Sequence, residues 1–169
     1  KAGPCARLYF PRLRLLALLL GLSVAGAQAA DPAKILRITF QAAETGFDPV
    51  KVSDYYSGTV ISSILDPMLT YDYLARPAKL VPNTAVALPD IDNGGRTYTV
   101  KVRPGIYFAD DPVFKGARRE LTALDYAYSI RRFLDPKNHS PYAFLFEGIA
   151  GIETPEPHTL IIRLKQPDY

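Results

Sequence analysis

The first 29 residues constrain this chain more than any later segment, because they have the three-part order of a secretory signal peptide. Three arginines precede an apolar run over residues 15–27, and Ala27-Gln28-Ala29 forms an A-x-A cleavage site. The apolar run has 13 residues, whereas a membrane-spanning helix needs about 20. We therefore expect export, with cleavage near Ala29. A retained signal anchor, a buried core helix and an organelle transit peptide are the alternatives.

The single cysteine, Cys5, lies within this leader, so the expected mature chain contains none. Disulfides, zinc-thiolate sites and cysteine nucleophiles are thereby excluded from it. A lipoprotein is also excluded, because Ala30 stands where a lipid-bearing cysteine would follow the cleavage site. The chain starts with Lys1 rather than Met and stops at Tyr169, directly after a strand-like run, so we expect a fragment of a longer protein.

The formal charge of +3 belongs to the leader, because the first 30 residues hold four Lys and Arg residues and no acid. The remaining chain has 16 Lys and Arg residues against 17 Asp and Glu residues, a net charge of −1. Non-specific binding to nucleic acid depends on neutralisation of phosphates by Lys and Arg. We therefore expect no nucleic-acid partner.

Alternating apolar and polar residues predict several strands. The pattern occurs over residues 35–40, 97–103 and 159–165, and residues 106–108 form a further short strand or strand end. Asp92-Asn93-Gly94-Gly95 supplies residues that tolerate positive φ and predicts a turn before the second of these strands.

Two helices are also predicted. Apolar residues at helical spacing over residues 60–68 indicate a helix that faces the core. The second helix begins after Thr122, where Asp125 completes a capping box, and ends at Asp135-Pro136, with apolar residues on one face and two arginines on the other. Because strands and helices do not alternate as βαβ units, the fold class is mixed α/β (α+β).

The chain has no phosphate-binding Gly-rich loop, nucleophile elbow or His-Glu-x-x-His motif. His139 and His158 lack partners at metal-ligand spacing and are expected on the surface. Asp110-Asp111 is expected in a turn, because adjacent strand residues point to opposite faces and cannot act together. No catalytic residue, metal ligand or cofactor site is therefore predicted. By contrast, the 11 Tyr and 8 Phe residues would suit a cleft for a partly polar ligand, although composition alone favours places for them in the core or at its rim.

Several motifs then occur in the order typical of one family. They occupy residues 35–40, 47–49, 80–85, 92–100, 103–108, 121–126 and 134–136. Together they resemble extracellular solute-binding protein family 5, the oligopeptide, dipeptide and nickel receptors of ABC importers. The resemblance extends from about residue 35 to the last residue. The chain departs from the family at Ala87-Leu88-Pro89, where a Trp is usual, and over residues 110–120, which are longer than the common Asp-Gly turn.

The resemblance implies the N-terminal part of a two-lobed periplasmic-binding-protein clamshell of class II, with an extra small subdomain. Residues 1–29 are then the signal peptide, and residues 30–54 are the first segment of lobe I. Residues 55–150 form the small subdomain and residues 151–169 return to lobe I, while the second lobe is absent from this chain.

The resemblance also implies a function without catalysis. Such a protein is a monomeric substrate-binding component of an ABC importer, which captures peptides or a similar small solute in the periplasm. It delivers its ligand to permease subunits in the inner membrane and needs no cofactor. The family contacts its ligand after the Asp-Pro loop and through a Ser-Pro-Tyr motif, which implies ligand-binding roles for Ser53, Asp54, Tyr55 and Tyr142.

Two other classes of function stay open from the sequence. An exported hydrolase would carry its catalytic residues beyond Tyr169 and would release product, whereas a receptor binds its ligand stoichiometrically and leaves it unchanged. A structural protein would be held by an uncleaved leader, and a mature N-terminus at Ala30 would exclude that class.

Overall fold

The computed structural model of the protein describes residues 34–168. The predicted signal peptide and its cleavage site lie outside these residues. The chain divides into a unit that ends at Thr39 and a unit that begins at Phe40. Every helix and strand of the described residues belongs to the second unit.

The predicted strand over residues 35–40 is wrong. These residues have no regular secondary structure, and Ile35, Leu36 and Ile38 are exposed. The reason is physical, since an alternating pattern supplies the side chains of a strand but not the hydrogen-bonded neighbours that stabilise one.

The main element is an antiparallel sheet of four strands in the order β3-β4-β6-β5. Its strands are β3 (Asp90–Asp92), β4 (Thr97–Lys101), β5 (Ile149–Glu156) and β6 (Thr159–Leu164). The predicted turn joins β3 to β4, and Asn93, Gly94 and Gly95 have the expected positive φ values of 55°, 61° and 82°. The predicted strands around residues 97–103 and 159–165 are confirmed as neighbours, with Val100 opposite Leu160.

The core forms where helix α2 (Ala123–Leu134) packs on this sheet. Its buried side chains come from both layers: Ala85, Val100, Val102, Ala123, Ala127 and Leu160. The two alanines of α2 are small, so the helix can lie close to the strands. Full burial of a side chain such as Leu160 stabilises the fold by roughly 1.5–3 kcal/mol.

The ends of α2 follow the sequence prediction. At its start the Asp125 carboxylate accepts hydrogen bonds from the backbone N–H of Thr122 at 2.8 Å and from the Thr122 hydroxyl at 3.0 Å. The backbone N–H of Ala123 donates to the carbonyl of Pro157 at 2.7 Å, which ties this end to the turn between β5 and β6. Asp135 ends the helix, and a 3₁₀ helix over Pro136–Asn138 follows.

The remaining elements lie before the sheet in the chain, or in its connections. Helix α1 covers Tyr55–Ile64, and a two-stranded antiparallel sheet pairs β1 (Leu69–Tyr71) with β2 (Leu80–Pro82). Further 3₁₀ helices cover Pro112–Phe114 and Ala143–Phe146.

The sequence prediction for α1 is correct for the helix and wrong for its environment. Ser57 is the buried residue of α1, while Ile64 is 60% exposed and Leu65 is exposed beyond the helix end. Met68, which was expected on the same apolar face, comes after the helix and packs against the sheet core instead. The chain leaves the helix at Leu65, shortly before Pro67, and so the apolar stripe is divided between two elements.

Two further differences concern strands. Residues 106–108 form only an isolated bridge, between Tyr107 and Glu120. Strand β5 was not predicted, because Gly151 and Pro155 interrupt any alternation and its pairing with β6 contains two register shifts. Strand β5 also spans the expected subdomain boundary at residue 150, and the sheet joins residues from both sides of it. The assignment of these segments to lobes stays a prediction.

Within residues 34–168, no helix combines the length and the apolar character needed to cross a membrane.

Candidate functional site

Helix α1 begins at Asp54, one of the predicted ligand-binding residues. Its Oδ1 accepts a hydrogen bond from the backbone N–H of Ser57 at 2.8 Å, and its Oδ2 accepts one from the Thr45 hydroxyl at 2.5 Å. Hydrogen bonds from Ser57, and then from Thr45, hold the pKa of Asp54 well below its ordinary value. The carboxylate is therefore ionised at neutral pH, and both of its oxygens are used to start the helix and to fix the preceding loop.

The residues on either side of Asp54 face solvent. Ser53 is exposed, and the Tyr55 side chain is 80% exposed. The Tyr55 ring meets Tyr56 edge-on with 5.5 Å between ring centroids, and Tyr56 in turn stacks on Phe40 at 4.8 Å. Tyr55 is thus supported from one side and offers an aromatic face to whatever approaches the start of α1.

The Asp-Pro loop before this segment is attached to α2. The Arg132 guanidinium donates from Nη1 to Asp48 Oδ1 at 3.0 Å and from Nη2 to Asp48 Oδ2 at 2.7 Å. This hydrogen-bonded cation keeps the pKa of Asp48 below its ordinary value, and Asp48 raises the pKa of Arg132. Asp48 Oδ1 also accepts from the backbone N–H of Val50 at 3.2 Å, and Val50 is buried. The loop is therefore fixed by one ion pair and one apolar side chain.

Tyr142 lies near the same end of α2 as the Asp48–Arg132 contact. It is held there by the 3₁₀ helix that follows it. It is half-buried, and its backbone N–H donates to the Ser140 hydroxyl at 3.3 Å, directly before the 3₁₀ helix over Ala143–Phe146. The last residue of that helix, Phe146, stacks on Phe133 of α2 with 4.5 Å between ring centroids. The Ser-Pro-Tyr motif is therefore held in place beside the end of α2.

A separate cavity of about 440 Å³ lies at the other end of this 3₁₀ helix. Its wall is formed by residues of three segments: Leu145, Glu147, Gly148, Ile149, Leu164, Lys165, Gln166, Pro167 and Asp168. None of the four predicted ligand-binding residues lines it.

Outside this region, three titratable residues considered in the sequence analysis have the following environments. Asp111 caps the 3₁₀ helix over Pro112–Phe114, which confirms the predicted turn. His139 is exposed, but His158 is half-buried with its Nε2 3.4 Å from Glu120 Oε1, so the surface prediction is wrong for His158. Residues 34–168 contain no group of three or more His, Cys, Asp or Glu side chains placed to hold a metal ion.

Comparison with known proteins decides the family. The model of the bacterial extracellular solute-binding proteins, family 5 Middle, matches residues 79–169, which is more than half of the chain. The chain belongs to this family. The family resemblance predicted from the motifs is thereby confirmed.

Two curated members of the family are similar over most of the chain. Di/tripeptide-binding protein 2 of Pseudomonas aeruginosa (strain UCBPP-PA14) is 32% identical over 173 residues, which cover 92% of this chain and 31% of that protein. The glutathione-binding protein GsiB of Escherichia coli (strain K12) is 32% identical over 141 residues, which cover 83% of this chain and 25% of that protein. The chain thus spans between a quarter and a third of the length of these family members.

A solved structure of the same type gives the fold. The ABC transporter-associated periplasmic binding protein DppA from Helicobacter pylori, in complex with peptide STSA, matches 72% of this chain and 25% of its own length. The TM-score is 0.60 and the sequence identity is 26%. The mixed helix and strand content of the chain therefore fits part of a periplasmic-binding-protein clamshell, as predicted.

The structure brings Ser53, Asp54 and Tyr55 together at the start of α1 and holds Tyr142 separately. Among the described residues no hydrogen bond joins the two groups. Sequence reasoning misses the pair that anchors the first group, since the local pattern indicates only a loop residue at Asp48 and a polar helix face at Arg132. The two are 84 residues apart, so no local pattern could have indicated their contact.

Proposed function

We propose that the full-length protein is the periplasmic substrate-binding component of an ABC importer and that its cargo is a short peptide. The family match carries this proposal. It is supported by two peptide-linked relatives of this chain, one named for di- and tripeptides and one solved with a bound peptide.

The geometry of the described residues suits this role. A peptide offers main-chain hydrogen-bonding groups that extended protein segments can pair with, and side chains that aromatic faces can cover. The exposed Tyr55 ring and the half-buried Tyr142 provide such faces at two segments that are both attached to the end of α2. The predicted roles of Ser53, Asp54, Tyr55 and Tyr142 stay part of this proposal. The Asp54 carboxylate already accepts two protein hydrogen bonds, so part of its acceptor capacity is used to start α1 and to fix the preceding loop.

The proposal includes binding without chemistry. The ligand is enclosed when the second lobe of the full-length protein closes over it, and it is then delivered unchanged to permease subunits in the inner membrane. Export through a cleaved leader places the monomeric receptor in the periplasm.

Native mass spectrometry of the full-length protein, purified from the periplasm, tests the proposal, since closed receptors retain their cargo. We expect one ligand for each protein, with a distribution of masses typical of di- and tripeptides. A single bound molecule that is not a peptide would agree with a receptor function but would overturn the assignment of a peptide as its ligand. Unoccupied protein that hydrolyses added peptides would overturn the receptor itself.

A further inference from the structure

The ion pair between Asp48 and Arg132 joins the loop before α1 to the end of α2, which no other ion pair of the described residues does. Both side chains are about one-third exposed, at 31% each, and the guanidinium meets the carboxylate through two separate nitrogen atoms. This two-point geometry fixes direction as well as distance. One partner is in the loop before α1 and the other is in the last turn of α2.

Asp48, the acidic partner of the pair, determines the position of the loop over residues 45–54. The Asp48 carbonyl accepts hydrogen bonds from the backbone N–H groups of Lys51 and Val52 at 3.0 and 3.2 Å, so the loop turns on Asp48. The loop closes at Asp54, whose carboxylate is bonded to the Thr45 hydroxyl. Movement of Asp48 therefore changes the position of the residues that lead directly into Ser53 and Tyr55.

On its basic side the pair is attached to the helix end from which the chain continues to Tyr142. The Arg132 carbonyl accepts a hydrogen bond from the Asn138 side-chain amide at 2.8 Å, which holds the 3₁₀ helix over Pro136–Asn138 against the end of α2. Asp135 caps that short helix through the backbone N–H of Lys137 at 3.0 Å. The chain then reaches Tyr142 four residues after Asn138.

We propose that Asp48 and Arg132 form a positioning pair that sets the geometry between the two ligand-contacting segments without touching the ligand. This inference rests on the proposed function, because it concerns the affinity of the same site. The pair holds Ser53–Tyr55 and Tyr142 in fixed relation before the ligand arrives, and a preorganised site loses less entropy on binding.

The chain offers a matched control. Arg163 donates to Glu153 through Nε at 2.7 Å and Nη2 at 3.3 Å, so it too forms a two-point ion pair. That pair joins β6 to β5 within the sheet, at positions that carry no ligand-contacting residue. Arg132→Gln and Arg163→Gln therefore remove the same charge and the same type of contact from two different places.

Direct competition measures the effect. Full-length wild type and one variant are mixed in equal amounts with a limiting mixture of di- and tripeptides, and native mass spectrometry gives the occupancy of each. We expect R132Q to bind about tenfold more weakly than wild type. R163Q should compete equally, and Arg132→Lys, which keeps the charge but not the two-point contact, should fall between wild type and R132Q.

Two further measurements separate positioning from simple destabilisation. The thermal midpoint of each variant is compared, and D48N, R132Q and the double variant form a mutant cycle. A positioning pair predicts that the double variant binds no more weakly than either single variant, since each removes the same contact. If R132Q does not fold, D48N replaces it, because Asn keeps the size of the Asp side chain; D48N and wild type are then measured in separate samples with the same peptide mixture.

Retention of wild-type occupancy by R132Q, or by D48N where R132Q does not fold, overturns the inference, as does an equal loss in R163Q. Wild-type protein that takes up no peptide from the mixture overturns the proposed function instead. The two failures are therefore distinguished within one experiment.

Discussion

The sheet with α2 and the segment that carries α1 are held by different interactions. In the first region Val100, Leu160 and the two alanines of α2 are buried, and apolar burial holds the layers together. In the second region Ser57 is the buried residue of the helix, and directional polar contacts fix the loop before it together with a single buried apolar side chain, that of Val50. The α1 segment can therefore expose Tyr55 and still keep a defined position.

The largest expected effect on stability is that of truncating a side chain in the core. Leu160 is fully buried, so Leu160→Ala should lower the free energy of opening of β4 and β6 by about 2–5 kcal/mol. Hydrogen exchange of the full-length protein measures this directly, strand by strand.

The control is Ile64→Ala in α1. Because the Ile64 side chain is 60% exposed, its truncation should change local opening by no more than about 0.5 kcal/mol. Similar losses in both variants would show that apolar burial holds the two regions alike and would contradict the difference between them.

The next largest effect is expected where α2 is hydrogen-bonded to the segment that follows α1. The Tyr126 hydroxyl of α2 is hydrogen-bonded to the Thr84 hydroxyl and donates to the Asp66 carbonyl at 3.1 Å, and burial raises the pKa of Tyr126. Tyr126→Phe should therefore destabilise the segment around residues 66–69 by about 1–2 kcal/mol, because the buried Thr84 hydroxyl and the Asp66 carbonyl each lose a hydrogen bond. Exchange of these amides tests it, and an unchanged rate would mean that the hydroxyl contributes nothing to this connection.

A smaller effect concerns the ligand rather than stability. Tyr142→Ala should weaken peptide binding about tenfold through loss of an aromatic face, with an unchanged thermal midpoint. Tyr73→Ala is the control, since Tyr73 is exposed on the connection between β1 and β2. Calorimetric titration of the full-length proteins with the peptide found on the purified receptor measures both. Equal affinity of Y142A and wild type would remove Tyr142 from the site.

Much of the sheet region could be predicted from the sequence and less of the α1 segment. Asn93-Gly94-Gly95 and the alternation around Val100 are local signals, and a hydrogen-bonded partner strand was present for them to pair with. Residues 35–40 carry an equally clear alternation and form no strand. Local pattern therefore determined structure only where tertiary contacts agreed with it.

The candidate site shows the same limit. Family resemblance predicted roles for Ser53, Asp54 and Tyr55, but the sequence could not show that Thr45 and Ser57 donate hydrogen bonds to the Asp54 carboxylate. Those contacts exist only after the chain folds back on itself. The Asp48–Arg132 pair escaped prediction for the same reason.

The weakest expected effect is a pH dependence of the α1 segment. The pKa of Asp54 is lowered from its ordinary value of 3.8, so its contribution is present above that pH and is lost progressively as the pH falls below it. Protection factors at the start of α1 should therefore decline below about pH 4, ahead of those in β4 and β6.

Asp54→Asn is the matched variant, because Asn also caps helices but does not titrate. Its decline should be shallower, although not absent, since the pKa of Asp48 is lowered as well. An identical decline in D54N and wild type would contradict the role assigned to the Asp54 carboxylate.

The most direct test of the proposed binding surface is hydrogen exchange of the full-length protein with and without a mixture of di- and tripeptides. We expect the largest gain of protection in residues 45–57 and 139–147, with β4 and β6 changing least. A gain confined to other parts of the chain, or none in these two segments, would contradict the assignment of the binding surface.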